Sequence, residues 1–233
     1  VGGPAMKAHG LRSLFDMEEL SVMGLVEILP RYFDLKRRIA QTAEAVLAAQ
    51  PDVVIGIDSP DFCLRVDKIV KARSQTRVVH YVAPSVWAWR PGRAQKMVGV
   101  VDQVLALLPF EPPYLEKVGI HCDFVGHPVA AEPVATADEI ATLRQETGLG
   151  DASVLVVLPG SRGSEVARMA PIYGSALGEI CAARPDLRVL VPTIGPRVTQ
   201  LREAIKNRPG NPVLLAPESG NAKTDMARKR AGF

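Results

Sequence analysis

VVHYVAPSVWAWRPGR, residues 78–93, reads as a strand that opens into a working loop. Val78, Val79, Tyr81 and Val82 are β-branched or aromatic and suit a pleated strand, whereas Pro84 has no N–H to give a sheet ladder and ends it. In the loop that follows, Trp87 and Trp89 stand at alternate positions ahead of Arg90 and Arg93. Flat apolar surface beside guanidinium groups fits a ligand that carries phosphate or carboxylate. A buried tryptophan pair closing a core is the other reading of the same residues.

Outward from this stretch the chain alternates. Residues 52–57 form an apolar strand, 63–73 a helix, 77–82 the strand just described, 92–100 a helix, 103–107 a third strand, 111–117 a short helix and 123–125 a short strand. Continuous apolar strands separated by helices predict a parallel sheet covered on both faces. Ligands of such sheets sit at the carboxyl ends of the strands, which makes residues 58–62, 83–93, 109–111 and 126–128 one rim. Residues 129–138 are rich in proline and alanine and read as a linker. A second alternation follows, with a helix at 137–147, a strand at 154–158, a turn at 159–163 opening a helix near Ser164, strands at 187–191 and 213–216, and a helix at 196–206. The fold class is α/β, with two Rossmann-like domains at residues 1–130 and 131–217 and a tail at 218–233.

At 233 residues, 47% of them hydrophobic, the chain can build a substantial core. Its net charge is +3. Lys223, Arg228, Lys229 and Arg230 against Glu218 and Asp225 place +2 of that in the tail, so no basic face is left for nucleic acid. Cys63, Cys122 and Cys181 lie far apart, which argues against a disulfide framework and a structural zinc site and for a reducing compartment. His121, Cys122 and His127 lack a matching second ligand pair, so no metal is expected. His80 and His127 read as satisfied core or rim residues. No apolar run approaches the roughly 20 residues that span a bilayer. Val1, Gly2, Gly3 and Pro4 suit the turn after a strand, and further chain is expected ahead of them.

Residues 17–49 predict a long helix interrupted at Pro30. Beyond it, Phe33, Ile39, Ala43, Val46 and Leu47 supply an apolar stripe for a core. Before and around it, Val22, Met23, Leu25, Val26, Ile28, Leu29, Tyr32 and Leu35 are denser than one stripe needs, and Arg31, Lys36, Arg37 and Arg38 follow. Such a segment fits an anionic membrane surface, or a buried helix with a solvated basic end.

Fingerprints for dinucleotides, P-loops and α/β-hydrolases are absent. Two rim candidates remain. Asp58, where the first strand ends, can accept a proton from a substrate hydroxyl or can serve as a turn residue, and Asp61 can cap the next helix. Gly160, Ser161 and Arg162 open a helix with free backbone N–H groups, a hydroxyl and a guanidinium, the equipment for a phosphate. The two candidates together suggest a base on one domain, a leaving-group site on the other, and a cleft between.

Seven stretches then carry a resemblance: VGGPAM at 1–6, MEELSVMGLVEILP at 17–30, GIDSPDF at 56–62, HYVAPSVWAWR at 80–90, LPFE at 108–111, FVGHP at 124–128 and LPGSRGSEV at 158–166. Together, over residues 1 to about 216, they resemble the lipid A disaccharide synthase family, which is similar to two-domain inverting glycosyltransferases of the GT-B type. The resemblance implies transfer of 2,3-diacylglucosamine from its UDP ester to 2,3-diacylglucosamine 1-phosphate, without metal or cofactor, by an enzyme peripheral on the cytoplasmic face of the inner membrane. By matching motif, Asp58 is implied as general base and Arg162 as essential beside the UDP diphosphate, with Gly160 and Ser161. Ser85, Trp87 and Arg90 are implied as cleft-lining and substrate-binding, and Val26, Ile28, Leu29, Tyr32 and Leu35 as membrane-facing. A homodimer stays open.

Two departures accompany the resemblance. The family opens with a strand and a G-E-x-S-G-D loop that are expected ahead of Val1, and it continues after Ala216 with elements that ESGNAKTDMARKRAGF, residues 218–233, does not match. The expectation is a chain incomplete at both ends and inactive alone, its last residues read in a shifted frame. The alternative from another class is a non-catalytic fragment that binds UDP-sugar, membrane or a partner chain. A nicotinamide-dependent oxidoreductase lacks its glycine fingerprint.

Overall fold

A computed structural model describes residues 1–20, 32–206 and 208–217. The chain divides into two compact units, Val1–Glu132 and Pro133–Phe233. In the first, α1 (Pro4–Ala8) starts with proline at its first position, where no N–H is needed, and a 3-10 turn covers Met17–Leu20. Helix α2 (Tyr32–Ala49) leads into β1 (Val53–Ile57), α3 (Pro60–Arg73), β2 (Arg77–Tyr81), α4 (Gly92–Met97), β3 (Gln103–Ala106), α5 (Pro112–Glu116) and β4 (His121–Phe124). The four strands are parallel in the order β1-β2-β3-β4. Gly56 lies opposite His80, and Val104 opposite Cys122.

Strands that neighbour one another in chain order need crossovers of one hand, and these put every connecting helix on the same face. Val78, Val104, Ala106 and Cys122 on that face pack with Ala94 and Met97 of α4 and Leu115 of α5. Helix α3 lies over Gly56, where an added Cβ would come within 3.1 Å of the Cys63 Cβ and 3.2 Å of the His80 Nδ1. Helix α2 then packs on α3, with Ile39 and Ala43 against Val66 and Val70.

Among the described residues the opposite face is largely open, which corrects the expectation of a sheet covered on both sides. Val53, Ile55 and Ile57 are 42%, 59% and 48% exposed. A polar row crosses the same face: Arg77 donates to Gln103 (2.8 Å), Gln103 donates to Asp123 (2.6 Å), and His121 sits 3.1 Å from Asp123.

The second unit holds α6 (Ala137–Glu146), β5 (Val154–Val156), α7 (Gly163–Ala183), β6 (Arg188–Pro192), α8 (Val198–Ile205) and β7 (Val213–Leu215). Thr136 and Glu139 form a reciprocal capping box that starts α6. The parallel strands run β5-β6-β7. Here both faces of the central strand are covered: Val189 and Val191 pack with Val166 and Leu177 of α7 and Leu201 of α8, and Leu190 packs with Leu143 of α6.

Two expectations for the first unit's helices need correction. Phe33 is 81% exposed, outside the core stripe, because six residues from Ile39 carry it about 120° round the helix. Arg38 is not a free cation: it grips both carboxylate oxygens of Glu19 at 2.8 Å and lies 4.7 Å over the Phe15 ring. Tyr32 is exposed and Leu35 half-buried, while Val26, Ile28 and Leu29 lie outside the described residues. No helix among the described residues is long and apolar enough to cross a membrane.

Candidate functional site

The carboxyl rim of the first sheet begins at Asp58. Its N–H donates to the Tyr81 carbonyl (2.9 Å), and with Ser59 it adopts a left-handed backbone, at φ 51° and 44°. Asp and Ser tolerate this conformation only locally, and it turns the chain sharply off β1, leaving the Asp58 side chain exposed. Ser59, not Asp61, occupies the cap position of α3; Asp61 lies in the first turn and pairs with Arg93 at 2.8 Å.

Behind Asp58 lies a group of buried titratable side chains. His80 is fully buried and both its ring nitrogens lack a hydrogen-bond partner; burial pushes it down to about 4, against the opposing pull of Asp58. Burial likewise pushes Asp67 up to about 7 and the half-buried Cys63 thiol up to about 12, away from the thiolate form.

The loop after β2 is turned outward at Val82, whose φ is 78° and whose N–H reaches the Leu105 carbonyl. Ala83 and Val86 anchor the loop in the core, and the Ser85 carbonyl accepts from the N–H of Ala88 and Trp89. The tryptophans do not close the core: Trp87 is 43% and Trp89 61% exposed. Trp87 meets Phe110 from the next loop edge to face at 5.1 Å, and the Arg90 guanidinium lies 4.8 Å over Trp89.

The sequence signals Phe110 and Glu111 only as part of the stretch LPFE, residues 108–111. Glu111 is buried and its carboxylate accepts the N–H of Leu107 (3.1 Å) and Leu108 (2.9 Å), which fixes this second loop. Glu111→Ala leaves two backbone donors without that acceptor, and the expected cost is about 2 kcal/mol, read as a lower urea midpoint. Glu111→Gln, which keeps an acceptor oxygen, should recover part of it.

The metal candidates stay apart. His121 and Cys122 point to opposite faces of β4, His127 accepts from the Val129 N–H, and no group of three metal-ligating side chains occurs among the described residues.

In the second unit the turn at 160–162 joins β5 to α7. Gly160 has φ 116°, and a Cβ there would lie 2.7 Å from the Glu165 Cβ. The N–H groups of this turn are not free, which corrects the sequence expectation: the Glu165 carboxylate accepts the N–H of Ser161 and Arg162 at 3.2 Å each and the Arg162 guanidinium at 2.8 Å, and an anion would take its place there. Arg162 holds that carboxyl below its ordinary range. At the same helix start, Gln200 donates to the Gly163 carbonyl at 2.9 Å, and the Arg197 guanidinium would lie 3.1 Å from a Gly163 Cβ. The sequence reading missed Arg197; its position just past β6, at the carboxyl edge of the sheet, was the available signal.

The family model described as lipid-A-disaccharide synthetase matches residues 1–231. The chain belongs to this family. A lipid-A-disaccharide synthase of Ruegeria pomeroyi is 60% identical over 233 residues, 100% of this chain and 58% of that relative. One from Rhodospirillum centenum is 50% identical over 217 residues, 92% of this chain and 54% of the relative. The chain thus spans somewhat over half the length of these lipid-A-disaccharide synthases. The family match also takes in residues 218–231, which the sequence reading had set apart as a tail.

Among solved structures, UDP-GlcNAc 2-epimerase from Neisseria meningitidis bound to UDP-GlcNAc superposes with a TM-score of 0.62 at 12% identity, covering 95% of this chain and 62% of that one. An S. aureus MnaA–UDP complex gives 0.63 at 13% identity, covering 96% and 60%. These likenesses concern the fold, which is α/β with parallel sheets flanked by helices, of the GT-B kind.

Proposed function

We propose that this chain carries the acceptor-side base and the diphosphate turn of a lipid A glycosyltransferase. That enzyme moves 2,3-diacylglucosamine from its UDP ester to 2,3-diacylglucosamine 1-phosphate. Membership of the lipid-A-disaccharide synthetase family, over residues 1–231, is the observation that carries the reading. The acceptor 6-hydroxyl attacks the anomeric carbon from the face opposite the leaving group, so a new β-linked C–O bond forms as the bond to the diphosphate oxygen breaks. Asp58, solvent-facing at the end of β1, takes the hydroxyl proton. The electron pair leaves with UDP, whose developing charge meets Arg162, the Ser161 hydroxyl and the N-terminal end of the 21-residue α7. Val1–Glu132 supplies the acceptor side and Pro133–Phe233 the nucleotide side.

Acylated substrates reside in a membrane, and this reading includes peripheral contact with an anionic surface on its cytoplasmic face. The exposed Tyr32 and Phe33 rings, 5.5 Å apart, support that contact.

Calorimetry of the 233-residue chain with UDP tests the nucleotide side. Arg162→Ala should weaken UDP binding by roughly ten- to a hundredfold, since a guanidinium–phosphate contact is charge-assisted. Unchanged affinity in that variant would remove Arg162 from the site.

A further inference from the structure

Residues 87–92 form an exposed arc between two buried anchors, Val86 and Ala94. The arc carries Trp87, Trp89 and Arg90, and Arg90 has a left-handed backbone at φ 52°. A segment with no buried side chain of its own takes its position from its ends. One end is Val86. At the other, the Arg93 side chain is 16% exposed and its guanidinium donates to Asp61 at 2.8 Å, across 32 positions of sequence.

Asp61 stands three residues after Asp58, on the first turn of α3. That turn is fixed independently of Arg93: Pro60 starts the helix, the left-handed residues 58 and 59 set its direction, and Phe62 meets the buried Phe15 edge to face at 6.1 Å. Nor is the ion pair a large share of the folding energy, since the Asp61 side chain is 73% exposed and solvent weakens such a pair. What the pair fixes is the relation between the end of the arc and the turn that bears Asp58. It also occupies Arg93, so this guanidinium does not share the ligand-gripping role that its place beside Arg90 in the sequence suggests.

Resting on the glycosyltransferase reading above, we infer that the Arg93–Asp61 pair is a latch that sets the arc at 87–92 against the Asp58 turn, so that an acceptor held on the arc presents its hydroxyl to the base. Arg93 and Asp61 are positioning residues, acting through the arc and Asp58. A hydroxyl must lie within hydrogen-bond reach of its base to lose a proton to it, and a displacement of about 1 Å can lower the rate by about a hundredfold.

The test uses a chimaera that completes this chain with the Ruegeria residues outside the match, assayed for glycosyl transfer. Arg93→Gln and Asp61→Asn should each lower kcat by about tenfold, with UDP affinity by calorimetry and the urea midpoint close to those of the parent. The double variant should be no slower than either single one, because both changes break the same contact. Arg93→Lys, which keeps a cationic donor for Asp61, should retain most of the rate.

Parent rates in both single variants overturn the inference, and so do additive losses in the double variant, which would make the two residues independent. Rates that change in opposite directions overturn it as well: the partners carry opposite charges, so a field acting on Asp58 would drive the two variants apart, whereas a broken latch slows both. A loss of rate matched by a loss of UDP affinity or of stability would make the pair a structural contact only. Asp58→Asn in the same assay keeps the two readings separate. If Asp58→Asn is slow and Arg93→Gln is not, the latch alone falls, whereas an Asp58→Asn chain at the parent rate removes the base and the latch with it.

Discussion

Asp58→Asn is expected to lower kcat by about 10²- to 10⁴-fold, the usual worth of a positioned general base, with little change in KM for either substrate. The variant is best placed in a chimaera that completes this chain with the residues of the Ruegeria relative lying outside the match. Asn keeps the size and one acceptor oxygen of Asp but cannot take the proton of the attacking hydroxyl. The backbone that aims residue 58 is held from elsewhere, by its N–H on the Tyr81 carbonyl and by the left-handed turn at 58 and 59, so geometry should survive the change. UDP affinity should also survive, because Arg162 belongs to the other unit. Product formation at the parent rate would show that Asp58 is a turn residue only.

The second large effect concerns stability and pH. Asp67 is 1% exposed, one of its carboxylate oxygens has no hydrogen-bond partner, and burial raises it from 3.8 to about 7. A carboxyl whose folded value lies above its unfolded one binds protons more tightly in the folded chain, so it destabilises increasingly as pH rises from about 4 to about 7 and levels off above that. The span of roughly three pH units corresponds to about 4 kcal/mol at most. Asp67→Asn mimics the neutral acid and should therefore stabilise the chain at pH 8 and leave it nearly unchanged at pH 4. Urea midpoints across that range measure it, and a difference between the two chains that does not vary with pH would exclude the assignment. His80 acts in the other direction: its folded value, about 4, lies below the ordinary 6.5, so its contribution is present above about 6.5 and is lost as pH falls towards 4.

The strands were legible as runs of β-branched and other apolar residues, as in residues 53–57 and 189–191, although helices cover both faces only of the second. Their ends shifted by one or two residues where backbone conformation, not hydrophobicity, decides. Val82 leaves β2 at φ 78°, and α4 stops at Met97, two residues before Gly99 at φ 74°. The turn at 160–162 was legible from its glycine, hydroxyl and arginine. That Glu165 lies on its N–H groups was not, since the same glutamate in a first helical turn already has a reason to be there in the dipole.

Strand order was the chief thing hidden. Alternating strands and helices predict a parallel sheet, but they do not say whether successive strands add on one side of the first or on both; adding on one side puts the connecting helices on one face and leaves Val53, Ile55 and Ile57 on the other. The depth of Asp67 was hidden for a similar reason. On α3 it looks like any helix-surface aspartate, yet it is 1% exposed in the folded unit.

Strand β1 ends the four-stranded sheet, so its outer row of backbone groups has no ladder partner among the described residues. It reads VVIGI, with no charge and no proline. A bare edge of β-branched residues that is also apolar on its face is the template on which chains recruit their own kind. In this stretch of chain taken by itself, a lysine at Ile55 would act as a gatekeeper against that recruitment without entering the packed side of the sheet.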